Sequence, residues 1–181
     1  TGATGLTTGL TGPMGIIISA TTNLTSAKLV NADLTGDTLS GVQMAKADLT
    51  GATLTDAIFS ATLDANGVET TAAANLTGAN LTNAIMDGVD LTGATLTSAK
   101  LGGANLTGNA DLTNAILNKA DLTGADLTSA DLTGADLTGA KLNTADLELV
   151  NLTGANLTSA DLTGATLTNI VISATTNLTS A

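Results

Sequence analysis

Residues 120–142 read ADLTGADLTSADLTGADLTGAKL. Leucine returns every fifth residue, at Leu122, Leu127, Leu132, Leu137 and Leu142, with Ala two places before each and a polar residue between. A period of five suits neither regular structure. On an α-helix it advances each repeat by about 140° and scatters the leucines round the axis. A strand repeats every two residues. An Ala and a Leu two apart do share one side of a strand, and the remaining Gly, Ser and Asn are turn formers. Each unit therefore reads as a very short strand plus a bend. One unit cannot bury its leucine alone, but coils stacked at about 4.8 Å align the leucines in columns and satisfy each other's backbone groups.

The same phase extends outward. The central apolar residue falls at Leu24, Leu29, Leu34, Leu39, Met44, Leu49, Leu54 and Phe59, then at Leu76, Leu81, Met86, Leu91, Leu96, Leu101 and Leu106. After a one-residue slip at Gly108 and Asn109 it runs from Leu112 in fives to Ile172, and a second slip at Thr175 and Thr176 leads to Leu178. The motif A-D/N-L-S/T-x, as in Ala120-Asp121-Leu122-Thr123-Gly124, closely resembles the pentapeptide repeat family over roughly residues 16–181. The resemblance implies an all-β fold, a right-handed quadrilateral parallel β-helix with one unit per side. On that analogy about 31 units make nearly eight coils, a rod of roughly 35–40 Å at ~4.8 Å per coil.

Composition narrows the chemistry. The 181 residues contain no Cys, His, Trp or Tyr and a single Phe, so Leu, Ile, Val and Ala must supply the core. Without Cys or His there are no disulfides, thiolate metal sites or imidazole chemistry, and no cofactor is expected. The net charge of −11, with five Lys and no Arg, disfavours direct nucleic-acid binding, which wants a basic stripe. Asp, Asn or Thr interrupts every apolar stretch, so no membrane span is expected. The sequence begins at Thr1 rather than Met, which fits a processed or trimmed product.

Two segments break the pattern. Residues 64–73, DANGVETTAA, are expected to bulge as a solvated loop. Asp64, Asn66 and Glu69 invite a calcium reading, but the stretch lacks the full ligand series of a calcium loop. Residues 1–15, TGATGLTTGLTGPMG, carry glycines in threes with one slip, like a short collagen-like Gly-X-Y tract, and serve as a Gly-rich linker, a partial cap or the stump of a stalk. The β-helix is assigned to residues 16–181.

Residues 16–27, IIISATTNLTSA, return at 170–181 as IVISATTNLTSA, differing at one position. Repeat proteins usually end in atypical capping units, whereas an uncapped β-helix end is an exposed strand edge. The duplication fits a longer protein with a 154-residue super-repeat, ends that stack head to tail, or simple duplication within the array. Head-to-tail stacking makes Ile16, Ile17, Ile18, Ile170, Val171 and Ile172 the expected assembly interface.

At one coil per twenty residues, Asn80, Lys100, Asp121, Lys141 and Asp161 fall in one outward column as a ladder of alternating charge, with Lys28 over Asp48 a similar pair. Such surface pairs contribute ~0–1 kcal/mol each and serve more to fix coil register. A neighbouring column holds Asp90, Asp111 and Asp131, read as solvated carboxylates. Asn-Leu-Thr recurs at Asn23, Asn75, Asn80, Asn105, Asn151, Asn156 and Asn177, but the repeat itself generates that sequon.

The leading functional expectation is a non-enzymatic rod or filament subunit, partnered by further copies of itself and placed at a cell or particle surface. The alternative comes from the family resemblance: an acidic module that imitates duplex DNA and inhibits type II topoisomerases. Against it stand the alternating charges and the lack of an aromatic-rich terminal segment. A third expectation, ice binding through Thr ranks, is weakened because the Thr-Leu-Thr units at Thr53, Thr95 and Thr166 do not recur at one-coil intervals. No acid–base pair points to an enzyme.

Overall fold

The computed structural model describes residues 22–63, 69–71 and 73–181. The chain winds as a four-sided parallel solenoid. The residue before each central apolar residue makes an isolated parallel bridge to its equivalent one coil on, and these bridges form four ladders. The first column runs Asn23, Gln43, Asn75, Thr95, Ile116, Asp136, Asn156, Asn177. The second runs Lys28, Asp48, Asn80, Lys100, Asp121, Lys141, Asp161. The third runs Asp33, Thr53, Ile85, Asn105, Asp126, Asp146, Thr166, and the fourth Thr38, Ile58, Asp90, Asp111, Asp131, Asn151, Val171.

One unit shows why the motif has its form. The Ala120 N–H donates to Leu117 O across the preceding turn (2.9 Å), and the Asp121 N–H to Ala99 O on the coil before (2.9 Å). Leu122 and Gly124 donate to Lys141 O (2.7 Å) and Asn143 O (2.9 Å) on the coil after. That leaves the Thr123 N–H, which donates to Asp121 Oδ1 (3.1 Å), while the Thr123 hydroxyl donates to the same oxygen (2.6 Å). All five backbone donors are satisfied. The Asp or Asn before the leucine is thus an Asx clip over it, locking the following Thr.

The fifth residue turns the corner with φ in the left-handed region, +65° at Gly124, and the unit closes with a hydrogen bond from the residue three on, the signature of a type II turn. Non-glycine residues take this conformation too, including the β-branched Thr144 at +56° and Leu149 at +60°.

Inside, the central Leu residues and the Ala residues two places before them form separate continuous columns. Leu122 and Leu142 are fully buried, whereas Leu162, in the last coil, is only partly so. Full burial of each leucine contributes ~1.5–3 kcal/mol. Phe59, Met44 and Met86 fill central positions where Leu is replaced. Asp37 stands in an inward position that most units give to Ala and is 4% exposed, as is Ser40.

The interruptions leave the wall intact. Extra residues enter between Phe59 and Ala74, where the Ala74 N–H closes the turn to Phe59 O (2.8 Å) and the bridges Gln43–Asn75 and Ile58–Asp90 span the gap. Outside the wall, β1 (Thr62–Leu63) and β2 (Glu69–Thr71) pair antiparallel. The excursion thus takes in Thr62 and Leu63, two residues ahead of the visible break in the sequence. The slip at Gly108 and Asn109 is absorbed by two consecutive positive-φ residues, after which Asp90 bridges Asp111. At the second slip the Thr176 hydroxyl donates to Leu152 O (2.7 Å) and the Gly154 N–H to Ser173 Oγ (3.1 Å).

Candidate assembly surface

Among the described residues no coil covers the far side of the last one. In the interior each central N–H reaches a carbonyl of the next coil. Among the described residues those of Leu162, Leu167, Ile172 and Leu178 reach none. Leu167, Ile172 and Leu178 are 44%, 52% and 46% exposed. With Leu162 and Ile170 they ring an apolar concavity of about 320 Å³ floored by Leu152 and Leu157. Strand alternation splits the Ile170-Val171-Ile172 triplet: Ile170 and Ile172 line the concavity, while Val171 is the outward rung after Asn151.

The opposite edge is its complement. Among the described residues the carbonyls of Asn23, Lys28, Asp33 and Thr38 accept no backbone bond, and the N–H groups of Lys28, Asp33 and Thr38 donate none. The carbonyls of Ala160, Ala165 and Ile170, which would receive such donors, are likewise unused. One end offers what the other lacks, as exposed strand edges do when they template pairing. Ile16, Ile17 and Ile18 lie outside the described residues.

The same short sequence meets opposite fates at the two ends. TTNLTSA occupies residues 21–27 and 175–181. In the first copy Leu24 is 3% exposed, covered by the coil whose Gln43 O accepts its N–H (2.7 Å). In the second, Leu178 is 46% exposed.

The charged ladder is brought together in the second column. Lys141 Nζ lies 3.9 Å from Asp121 Oδ2, both side chains well exposed, and Lys100 and Asp161 are the neighbouring rungs. Asp161 is held down at about 2, first by the Thr163 hydroxyl, then by the Asn143 side chain and the Thr163 N–H, with Lys141 adding attraction. Asp121 is lowered mainly by the Thr123 hydroxyl. Lys28 and Asp48 head the same column.

Other features serve the fold. Asp90, Asp111 and Asp131 are successive rungs of the fourth column, each accepting from its own Thr N–H. A cleft of about 570 Å³ beside the excursion is lined by Ser60, Asp90, Thr92 and Asn114, where Asp90 accepts from Ser60 Oγ (2.7 Å) and the Thr92 N–H (3.0 Å). Asp64 and Asn66 lie outside the described residues, and Glu69 opens β2. Thr53 and Thr166 share the third column without being neighbours, and Thr95 belongs to the first. No helix among the described residues is long and apolar enough to cross a membrane.

A solenoid of five-residue units, stacked through its backbone, defines a class of repeat proteins. The family model described as pentapeptide repeats, with eight copies, matches residues 22–56, 74–108, 109–143 and 130–169. The chain belongs to the pentapeptide repeat family. Among solved structures it is similar to HetL of the cyanobacterium Nostoc, a pentapeptide repeat protein involved in heterocyst differentiation regulation (28% identity, covering 86% of each chain, TM-score 0.38). It is also similar to Rfr23, a pentapeptide repeat protein of the cyanobacterium Cyanothece (30% identity, covering 80% of this chain and 90% of that one, TM-score 0.34). A further match is QnrB1, a plasmid-mediated fluoroquinolone resistance protein (18% identity, covering 88% and 91%, TM-score 0.40). No curated protein matches the chain.

Proposed function

We propose that the protein is a non-enzymatic structural rod, wound right-handed as the family resemblance implies, whose copies assemble head to tail through their two strand edges. The observation that carries this is the complementarity of those edges. Among the described residues, unused donors at Leu162, Leu167, Ile172 and Leu178 match unused acceptors on the first coil, around an open apolar core. Because the two edges differ, the contact is heterologous, and a heterologous contact that does not close produces a filament. The Gly-X-Y spacing of residues 1–15 is the support for a location at a cell or particle surface.

Magnitudes set the expected strength. Covering several half-exposed aliphatic side chains returns part of the ~1.5–3 kcal/mol that full burial of each gives, and each new backbone bond adds ~0.5–1.5 kcal/mol. Association costs about 4–15 kcal/mol, so the sum favours assembly only modestly and makes it concentration dependent. An imitation of duplex DNA would want unbroken acidic rungs. The second column instead alternates Lys100, Asp121, Lys141 and Asp161, and the fourth passes from Asp131 to Asn151 and Val171.

Sedimentation velocity over a wide concentration range, with negative-stain images of the same samples, tests the proposal. Species that grow with concentration, seen as rods of constant width and increasing length, are expected. A monomer at every concentration would overturn it.

A further inference from the structure

The duplicated segment returns in phase with the rod. Asn23 and Asn177, equivalent residues of the two TTNLTSA copies, stand in the same column seven bridges apart. The excursion after Phe59 leaves and re-enters at one corner, and each slip is absorbed at a corner, so none of them moves the chain to another column. A second copy shifted along the axis by seven coils, ~34 Å at ~4.8 Å per coil, continues all four columns without rotation. Its residues 22–27 would then fall where residues 176–181 of the first copy lie. Both segments carry the same sequence, so either can fill the place.

We propose that copies join by exchanging these duplicates: residues 176–181 of one copy replace residues 22–27 of the next, whose own segment is released. The proposal rests on the head-to-tail reading and fixes its register. The N–H groups of Leu162, Leu167 and Ile172 meet the carbonyls of Lys28, Asp33 and Thr38 in the second copy, which accept no backbone bond from the described residues. The Leu178 N–H takes Gln43 O, which Leu24 holds at 2.7 Å within a single copy. Identical side chains restore the packing that the released segment gives up, so the exchange itself is close to neutral. Asp161 then sits beneath the second copy's Lys28, and the second column continues its alternation across the junction. A register turned by one quarter would instead set Lys28 on Thr166 and the Asp33 carboxylate on the half-exposed Val171.

Cysteine pairs separate the two registers, because the chain has no cysteine of its own. Residues 28 and 161 are six bridges apart within one copy, far beyond the reach of a disulfide, so any bond between them is intermolecular. Mild oxidation of Lys28→Cys/Asp161→Cys is expected to convert most of the monomer band into a ladder of covalent oligomers, and Lys28→Cys/Thr166→Cys is expected not to. A ladder from the second pair, or from neither while the wild type assembles, overturns the exchange but leaves head-to-tail stacking standing. A wild type that stays monomeric overturns both. As a second readout, Leu24→Asp should keep or increase assembly because Leu24 leaves the rod, whereas Leu178→Asp should abolish it. Assembly lost in Leu24→Asp, with the melting of the remaining coils unchanged, would contradict the exchange.

Discussion

Asn23 and Asn177 occupy one column of the rod, seven parallel bridges apart, although 154 residues of chain separate them. Whole turns survive one twelve-residue excursion and two single-residue slips because the wall is held at every rung by backbone bonds that ignore what happens outside the corners. Rigidity of phase in turn rests on the core columns and on the Asx clips.

The core columns make interior charge costly. Leu142 is 1% exposed between Leu122 and Leu162. Leu142→Asp buries a carboxylate without a partner and should cost several kcal/mol. Thermal unfolding followed by circular dichroism should show a large drop in midpoint. An unchanged melt would mean that Leu142 does not face the core.

The clips predict a difference between two similar substitutions. Asp111 Oδ1 accepts the Thr113 N–H at 2.9 Å, and its neighbours in the column are Asp90 and Asp131. Asp111→Asn keeps the acceptor and removes a like charge, so stability should hold or rise slightly at low salt. Asp111→Ala strands the N–H and should cost ~1 kcal/mol. Chemical denaturation of the two variants side by side measures this, and equal stabilities would argue against the clip.

Thr144 is strained at the corner. Its φ of +56° is a conformation that costs an L residue about 1–2 kcal/mol. Glycine relieves that cost but loses ~0.5–1 kcal/mol through the greater freedom of its unfolded chain. Thr144→Gly should therefore stabilise by up to about 1 kcal/mol, read as a rise in denaturation midpoint. A fall would show that the threonine side chain contributes more than its strain takes away.

Much of this architecture is legible in the sequence, for a physical reason. The central position must fill a narrow core in every unit, so Leu, Met, Phe or Ile marks it each time, and twenty-residue steps with two slips assign the columns on either side of the excursion, whose length hides how the two sets join. The clip is harder to see. An Asp or Asn followed two places on by Thr also fits a plain outward polar position, and only the unclaimed N–H of residues such as Thr123 shows what it does. That pairing is nonetheless a known turn signature and was available to find it. Asp37 is hidden for the opposite reason: a carboxylate in an inward position contradicts the pattern. Among Ile170, Val171 and Ile172, uniform hydrophobicity conceals the alternation that turns Val171 outward. The excursion begins at Thr62 because Leu63 imitates the period closely enough to mask the exit of the chain.

Acid should weaken the fold only late. Asp33, Asp121, Asp136 and Asp161 lie below their ordinary 3.8. The leading cause for Asp33, Asp121 and Asp161 is the following Thr hydroxyl; at Asp136, burial pushes upward but bonds from Thr138 and Asn118 outweigh it. Carboxylates lowered on folding stabilise above their unfolded value and lose that contribution as pH falls through the folded one. Melting temperature should hold from neutral pH to about 4 and then decline toward about 2. Protonation also relieves the −11 net charge. A melting temperature that rises through this window would show that repulsion outweighs the clips.

End-to-end stacking in whole-turn phase is measured directly by helical reconstruction of filaments by cryo-electron microscopy. The expected result is a subunit repeat of ~34 Å along the axis over coils ~4.8 Å apart, with the excursions after Phe59 on one corner of successive subunits. Single rods that never elongate, or filaments whose excursions step round by a quarter turn per subunit, would contradict it.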